Sequence, residues 1–143
     1  MSDEPIFIDD QDRYSRLRLI SWWNQEKLKA ARVLVVGAGA LGNEVLKNLA
    51  LLGVGRLIVI DFDTIEESNL TRSVLFRSSD RGKSKSAAAA AMLRQINPDT
   101  HVLPLDANVL TDLGLGIFRD VDVVIGCLDN REARLWVNRS CWK

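Results

Sequence analysis

Hydrophobic and polar positions divide this chain into short apolar runs that alternate with longer segments of helical spacing. Val33 to Val36 is an unbroken aliphatic run, the pattern of a strand buried on both faces. From there Leu41, Val45, Leu46, Leu49 and Leu52 recur at helical spacing and predict a helix with one apolar face. Gly53 and Gly55 stop it. A second buried strand, Arg56 to Ile60, follows. The polar stretch from Phe62 to Arg72 is too long for a simple crossover turn, and excess loop at a strand's carboxyl end is where function concentrates. Val74-Leu75-Phe76 is expected to pack back on the core. Lys85 opens an alanine-rich helix carrying Met92, Leu93 and Ile96, which ends before Pro98. His101 to Leu105 reads as a third strand, placed at an edge by Pro104. Val121 to Ile125 reads as a fourth, and a last helix starts near Arg131.

Upstream, Asp12 to Leu19 predicts a helix with Asp12 as its cap. Ser21 to Ala30 predicts another, with Trp22, Trp23 and Leu28 toward its buried side. The tryptophan pair reads as core or subunit packing in preference to nucleotide stacking. Residues 1–11 are acidic, with Ile6-Phe7-Ile8 able to dock locally.

Strands alternating with helices imply an α/β, Rossmann-like, doubly wound and mainly parallel sheet with helices on both faces. In the order 3-2-1-4 the first and fourth strands meet at the topological switch point. Asp129 and Asn130, after the fourth strand, then sit beside the loop that follows the first. Residues 1–30 form an acidic tail and helices suited to partner or dimer contacts, and residues 31–143 form the nucleotide-binding domain. That domain is expected to be incomplete, because Cys141-Trp142-Lys143 falls in the last helix with no strand after it.

Composition narrows the partners. With 19 basic and 19 acidic side chains in 143 residues, there is no bulk electrostatic reason to expect nucleic acid or an anionic membrane. No apolar run approaches the roughly 20 residues of a membrane span, and the acidic start lacks the basic and apolar regions of a signal peptide. Two cysteines, Cys127 and Cys141, suit a reducing compartment and lack zinc-site spacing. The expectation is a cytoplasmic protein.

The chemistry centres on Gly37-Ala38-Gly39-Ala40-Leu41-Gly42, set between the first strand and the first long helix. Glycines at this spacing allow a tight turn and leave bare backbone facing outward. The helix start offers unpaired N–H groups and partial positive charge to phosphate. Asp61 closes the second strand about 20 residues later, where a carboxylate accepts hydrogen bonds from ribose hydroxyls. The unit predicts an adenine nucleotide. It permits an NAD-dependent oxidoreductase, or a non-catalytic nucleotide-binding and dimerisation module. Asn69, Arg72, Lys85 and Asp129, however, are expected at the same sheet edge, and they suit a triphosphate with magnesium better than a dinucleotide.

These pieces, in order, are Arg13-Tyr-Ser-Arg16, the glycine loop, Asp61-Phe-Asp63, Ser68-Asn-Leu-x-Arg72, Leu75-Phe-Arg77, Gly82-Lys-x-Lys85, Ile96-Asn-Pro98 and Asp129-Asn130-x-x-x-Arg134. The set resembles the ThiF/MoeB-type adenylyltransferases and the adenylation domains of ubiquitin-activating enzymes, over their N-terminal, nucleotide-binding half. The resemblance implies ATP-dependent adenylation of the C-terminal carboxylate of a ubiquitin-like or sulfur-carrier protein. It assigns Gly37, Gly39, Ala40, Gly42, Asp61, Asp63, Ser68, Asn69 and Asn130 to nucleotide contact, with Arg72, Lys85 and Asp129 acting on the phosphates. Asp129 would hold Mg2+. Arg16 would reach across a homodimer into the partner's site. Zinc, where relatives carry it, would belong to a C-terminal half beyond Lys143. Two glutamines that the family often has after its arginines are replaced by Leu17 and Ser73.

Overall fold

A computed structural model of the chain describes residues 8–143, so Ile6 and Phe7 of the expected docking segment lie outside the described residues. One sheet contains β1 (Arg32–Val36), β2 (Arg56–Ile60), β3 (His101–Leu105) and β4 (Val123–Gly126), all parallel, in the order β3-β2-β1-β4. Val33 lies level with Leu57 on one side and Val123 on the other, so β1 is central and covered from both faces. Alternate side chains of a strand point to opposite faces. Val33 and Val35 enter one core, and Leu34 and Val36 enter the other.

Helix α1 (Gln25–Ala30) precedes the sheet, and α2 (Ala40–Leu51) and α3 (Lys85–Ile96) cover its first face. Leu46 and Ala50 of α2 and Ala89, Ala90 and Leu93 of α3 pack there on Val35, Leu57 and Val59. The small alanines let α3 approach the sheet closely. Cutting either fully buried leucine, Leu46 or Leu93, back to alanine would cost about 2–5 kcal/mol. On the second face, the single turn α4 (Gly116–Arg119) and α5 (Arg131–Cys141) enclose Val109, Ala133 and Val137. Phe118 meets Trp136 edge-on there, at 5.5 Å between ring centroids. Helix α2 stops at Gly53, whose φ of 77° is left-handed and which leaves room for the Tyr14 ring. Among the described residues no helix is long and apolar enough to cross a membrane.

The N-terminal expectations are corrected. Asp12 to Leu19 is not a helix but a series of turns ending in one 3₁₀ turn, Leu17–Leu19. The Asp12 carboxylate accepts the Tyr14 N–H at 3.0 Å, a local bond that competes with helix formation. The second segment becomes helical only at Gln25, because Asn24 caps it by accepting the Lys27 N–H at 2.9 Å. Trp22 is not buried. It is 78% exposed, while Trp23 is partly covered and donates its indole N–H to Gln25. Leu41 also leaves the expected apolar face and stands exposed at the start of α2. Val74 is exposed as well, whereas Leu75 and Phe76 do pack on the core. The fourth strand begins at Val123, two residues later than the apolar run suggested.

Candidate active site

A cleft of about 500 Å³ opens at the carboxyl ends of β1, β2 and β4, a size that suits a nucleotide. Its floor is the turn from β1 into α2. Gly37 adopts φ 100°, and a Cβ there would fall 2.6 Å from the Cys127 carbonyl oxygen, so only glycine fits between β1 and β4. Gly39 precedes α2 and supplies no capping side chain, which leaves the helix's first N–H groups facing the cleft. Gly39 and Ala40 line the cleft. Gly42 does not: it packs directly beneath the Gly37 carbonyl, where any side chain would collide.

Asp61 closes β2 and ties the floor together. One carboxylate oxygen accepts the Ala38 N–H at 2.7 Å and the other the Asp63 N–H at 2.8 Å. A carboxylate has about four lone-pair positions, so both oxygens keep capacity toward the cleft. Burial raises the Asp61 pKa above the ordinary carboxylate value, and the two N–H bonds and nearby Lys85 oppose that rise.

The long loop after β2 is laced to the start of α3. Ile65 N–H donates to the Lys83 carbonyl, Gly82 N–H to Ile65, and Lys85 N–H to Asp63. This lacing brings the Lys85 ammonium to the rim, 3.0 Å from the Asp63 carboxylate. Within the loop, residues 67–72 form a 3₁₀ helix. The Asn69 side-chain oxygen accepts the Glu66 N–H at 3.1 Å there, and Arg72 donates to the Ser68 carbonyl at 2.8 Å. Asn69 and Arg72 line the cleft; Ser68 does not.

The opposite wall is the start of α5. Asn130 caps it by accepting the Glu132 and Ala133 N–H groups, and Arg134 donates back to the Leu128 carbonyl. Asp129 lies exposed on this wall, in none of the ion pairs found among the described residues. Cys127 lines the floor, and burial pushes its thiol pKa up, away from thiolate chemistry. Cys141 is exposed on the last turn of α5, and His101 is exposed on edge strand β3.

The fold therefore brings together Gly37, Gly39, Ala40, Asp61, Asp63, Asn69, Arg72, Lys85, Asp129 and Asn130. Arg16 is elsewhere. Its neighbour Tyr14 packs at Gly53, and Arg13 bonds the Ile96 carbonyl, both at the far ends of α2 and α3. Twelve residues of helix separate those ends from the cleft, about 18 Å at 1.5 Å per residue.

Sequence reasoning missed several wall residues. Asn108, Leu110 and Leu128 line the cleft, as do Phe62 and Arg134, which lie within the quoted motifs but were given no role there. Asn108 and Leu110 sit in the connection after β3, which has no regular pattern to read. Asn43 was also missed, though a polar residue inside the apolar face of α2 was a signal. It is fully buried, with its amide nitrogen 2.7 Å from the Ala38 carbonyl and 3.0 Å from that of Gly39.

The sequence profile of the ThiF family matches residues 12–143. This chain belongs to the ThiF family. It is 40% identical over 137 residues to the adenylyltransferase and sulfurtransferase uba4 of Aspergillus fumigatus, covering 94% of this chain and 28% of uba4. It is 45% identical over 126 residues to the ubiquitin-like modifier-activating enzyme 7 of Homo sapiens, covering 82% of this chain and 12% of that protein. Among solved structures, E. coli MccB with succinimide superposes with a TM-score of 0.81 at 36% identity, over 91% of this chain and 41% of MccB. MccB with AMPCPP and MccA superposes with a TM-score of 0.78 at 33% identity, over 93% of this chain and 42% of MccB. The chain thus spans less than half the length of each of these relatives.

Proposed function

We propose that this chain is the nucleotide-binding half of an ATP-dependent adenylyltransferase that activates the C-terminal carboxylate of a ubiquitin-like or sulfur-carrier protein. The observation that carries the reading is the single rim on which a bare helix start, Asp61, Asn69, Arg72, Lys85 and Asp129 converge. Two kinds of likeness support it: the relatives named as adenylyltransferase and modifier-activating enzymes, and MccB in company with AMPCPP.

In this reading the Gly39–Ala40 backbone and the α2 dipole take phosphate oxygens. Asp61 takes the ribose hydroxyls. Asn69, Arg72 and Lys85 spread across the remaining phosphates, Lys85 turning from Asp63 to do so. The carrier's carboxylate attacks the α-phosphorus, pyrophosphate leaves, and an acyl-adenylate forms. A carboxylate is already ionised near neutral pH, so no general base is required. Alignment and charge neutralisation carry the acceleration.

Magnesium would neutralise phosphate charge as a hard Lewis acid. Among the described residues no group of three or more His, Cys, Asp and Glu forms a metal cage. That fits an ion bound through one carboxylate, with phosphate and water supplying its other oxygens. Asp129 suits the role, since its exposed carboxylate stands on the cleft wall in none of the ion pairs found among the described residues, whereas both oxygens of Asp61 are held by backbone N–H groups. Arg16, too remote for its own cleft, is assigned to the cleft of a partner copy in a homodimer. A cytoplasmic location goes with this reading.

The test is ATP–pyrophosphate exchange with and without a ubiquitin-like carrier protein, alongside calorimetric titration of Mg-ATP and NAD. Carrier-dependent exchange is expected. Asp129→Asn should raise the Mg2+ requirement about tenfold or more, because it removes a charged ligand. NAD binding without Mg-ATP binding would replace the reading with an oxidoreductase.

A further inference from the structure

The glycine loop carries no side chain that could hold its own shape, so something else must orient its peptides. Asn43 is placed to do it. One amide nitrogen donates to the carbonyls of Ala38, at 2.7 Å, and of Gly39, at 3.0 Å. A trans peptide is planar, with its N–H directed opposite to its carbonyl. Drawing the Ala38 carbonyl inward therefore turns the Gly39 N–H outward, and the Gly39 carbonyl, which the Asn43 backbone N–H also holds at 2.8 Å, turns the Ala40 N–H the same way; both residues line the cleft. The Asn43 side-chain oxygen accepts the Leu75 N–H at 2.8 Å. Leu75 follows Ser73, a buried cleft residue, and Arg72, so the same amide joins the glycine loop to the base of the arginine loop.

Three bonds are made by a side chain with no exposure at all. A carboxylate of the same size could accept from Leu75 but would face two carbonyl oxygens without a proton to offer them. A leucine would match the volume and make none of the bonds. A glutamine would be one methylene too long for a packed interior.

We infer that Asn43 is a positioning residue for the nucleotide: its side-chain amide sets the outward N–H of Gly39, reinforces that of Ala40, and holds both in register with the Arg72 loop. The inference rests on the adenylyltransferase reading for the identity of the ligand, and on the hydrogen bonds of Asn43 for everything else.

The experiment is calorimetric titration of Mg-ATP into the wild-type protein, Asn43→Leu, Asn43→Ser and Asn43→Asp, each checked by circular dichroism and thermal unfolding. Asn43→Leu and Asn43→Ser, once shown to be folded, should bind about tenfold or more weakly, the loss expected when one or two charge-assisted N–H bonds go out of line. Asn43→Asp adds a readout that a merely structural role would not move. Its protonated carboxyl can donate to one loop carbonyl and its ionised form repels both. The ratio of its affinity to wild type should therefore climb as pH falls from about 8 to about 5.5, with wild type correcting for protonation of ATP itself. Folded Leu and Ser variants within twofold of wild type, or an Asp variant whose ratio is flat with pH, would overturn the role of Asn43 and leave the reading of the site intact. A wild-type protein that binds no ATP would overturn that reading instead.

Discussion

Replacing Lys85 by methionine keeps an unbranched stem of similar reach and removes only the ammonium. The Lys85 side chain is 13% exposed, so most of what it buries is that stem. Its ion pair with Asp63 spans 3.0 Å, but the Asp63 carboxylate is 53% exposed, and solvent screening leaves such a pair worth about 0.2–1 kcal/mol. Lys85 is also the first residue of α3, where a cation opposes the helix dipole by about 0.3–1 kcal/mol. The two effects nearly cancel. Lys85→Met should therefore change unfolding free energy by less than about 1 kcal/mol, which is under about 4 °C in Tm for a domain of this size. Exchange activity should behave quite differently. Removing one preorganised charge aimed at a reacting phosphate costs about 10²–10³ in rate. Carrier-dependent pyrophosphate exchange and differential scanning calorimetry on the same preparations measure both quantities. An exchange rate within threefold of wild type would refute the assignment of Lys85 to the phosphates. A Tm lowered by more than about 8 °C would refute the cancellation, and would show the ion pair to be structural.

Two further substitutions and one pH dependence follow from the same geometry. Gly42→Ala drives a methyl into the backbone carbonyl of Gly37, which has no flexible side chain to move aside, and should cost about 3 kcal/mol or more in a urea titration. Gly39→Ala meets nothing within 4 Å and should change stability by under about 1 kcal/mol, yet weaken Mg-ATP binding by calorimetry because the methyl stands on the cleft wall. Equal stability losses for the two would contradict the assignment of one glycine to packing and the other to ligand approach. Asp61 has its folded-state pKa raised mainly by burial, so its proton is held more tightly in the folded protein. Its contribution to stability is complete below the ordinary carboxylate value and is lost as pH rises through the raised one. Wild type should therefore lose stability relative to Asp61→Asn as pH rises from the ordinary carboxylate value through the raised one, and a difference in denaturation midpoint that stays flat with pH would contradict the shift.

Strand and helix existence was legible along the sheet because periodicity is written wherever both faces of a strand, or one face of a helix, must be dry. Val33–Val36, the alanines of α3 and Pro104 at an edge strand all behaved as their local chemistry implied. The N-terminal segment did not. Asp12 to Leu19 has helical composition, but Asp12 bonds its own neighbour and Arg13 and Tyr14 are claimed by the ends of α2 and α3. Trp22 shows the limit of hydrophobicity as a guide, because a large apolar side chain is buried only if something arrives to cover it.

By itself the sequence determined the α/β alternation, the glycine turn under a helix start and the acid at the end of the second strand. Each depends on residues close together in the chain. The expected strand order also put Asn69, Arg72, Lys85 and Asp129 at one sheet edge, and only the tertiary structure decided which residues of that edge line the cleft, leaving Ser68 and Gly42 out of it. It also decided that Arg13 and Tyr14, beside Arg16, dock at the other end of the helices, that Gly42 serves packing beneath Gly37, and that the buried amide of Asn43 braces the floor. Those outcomes depend on the direction a side chain takes after the helices have docked, and no one-dimensional pattern records a direction.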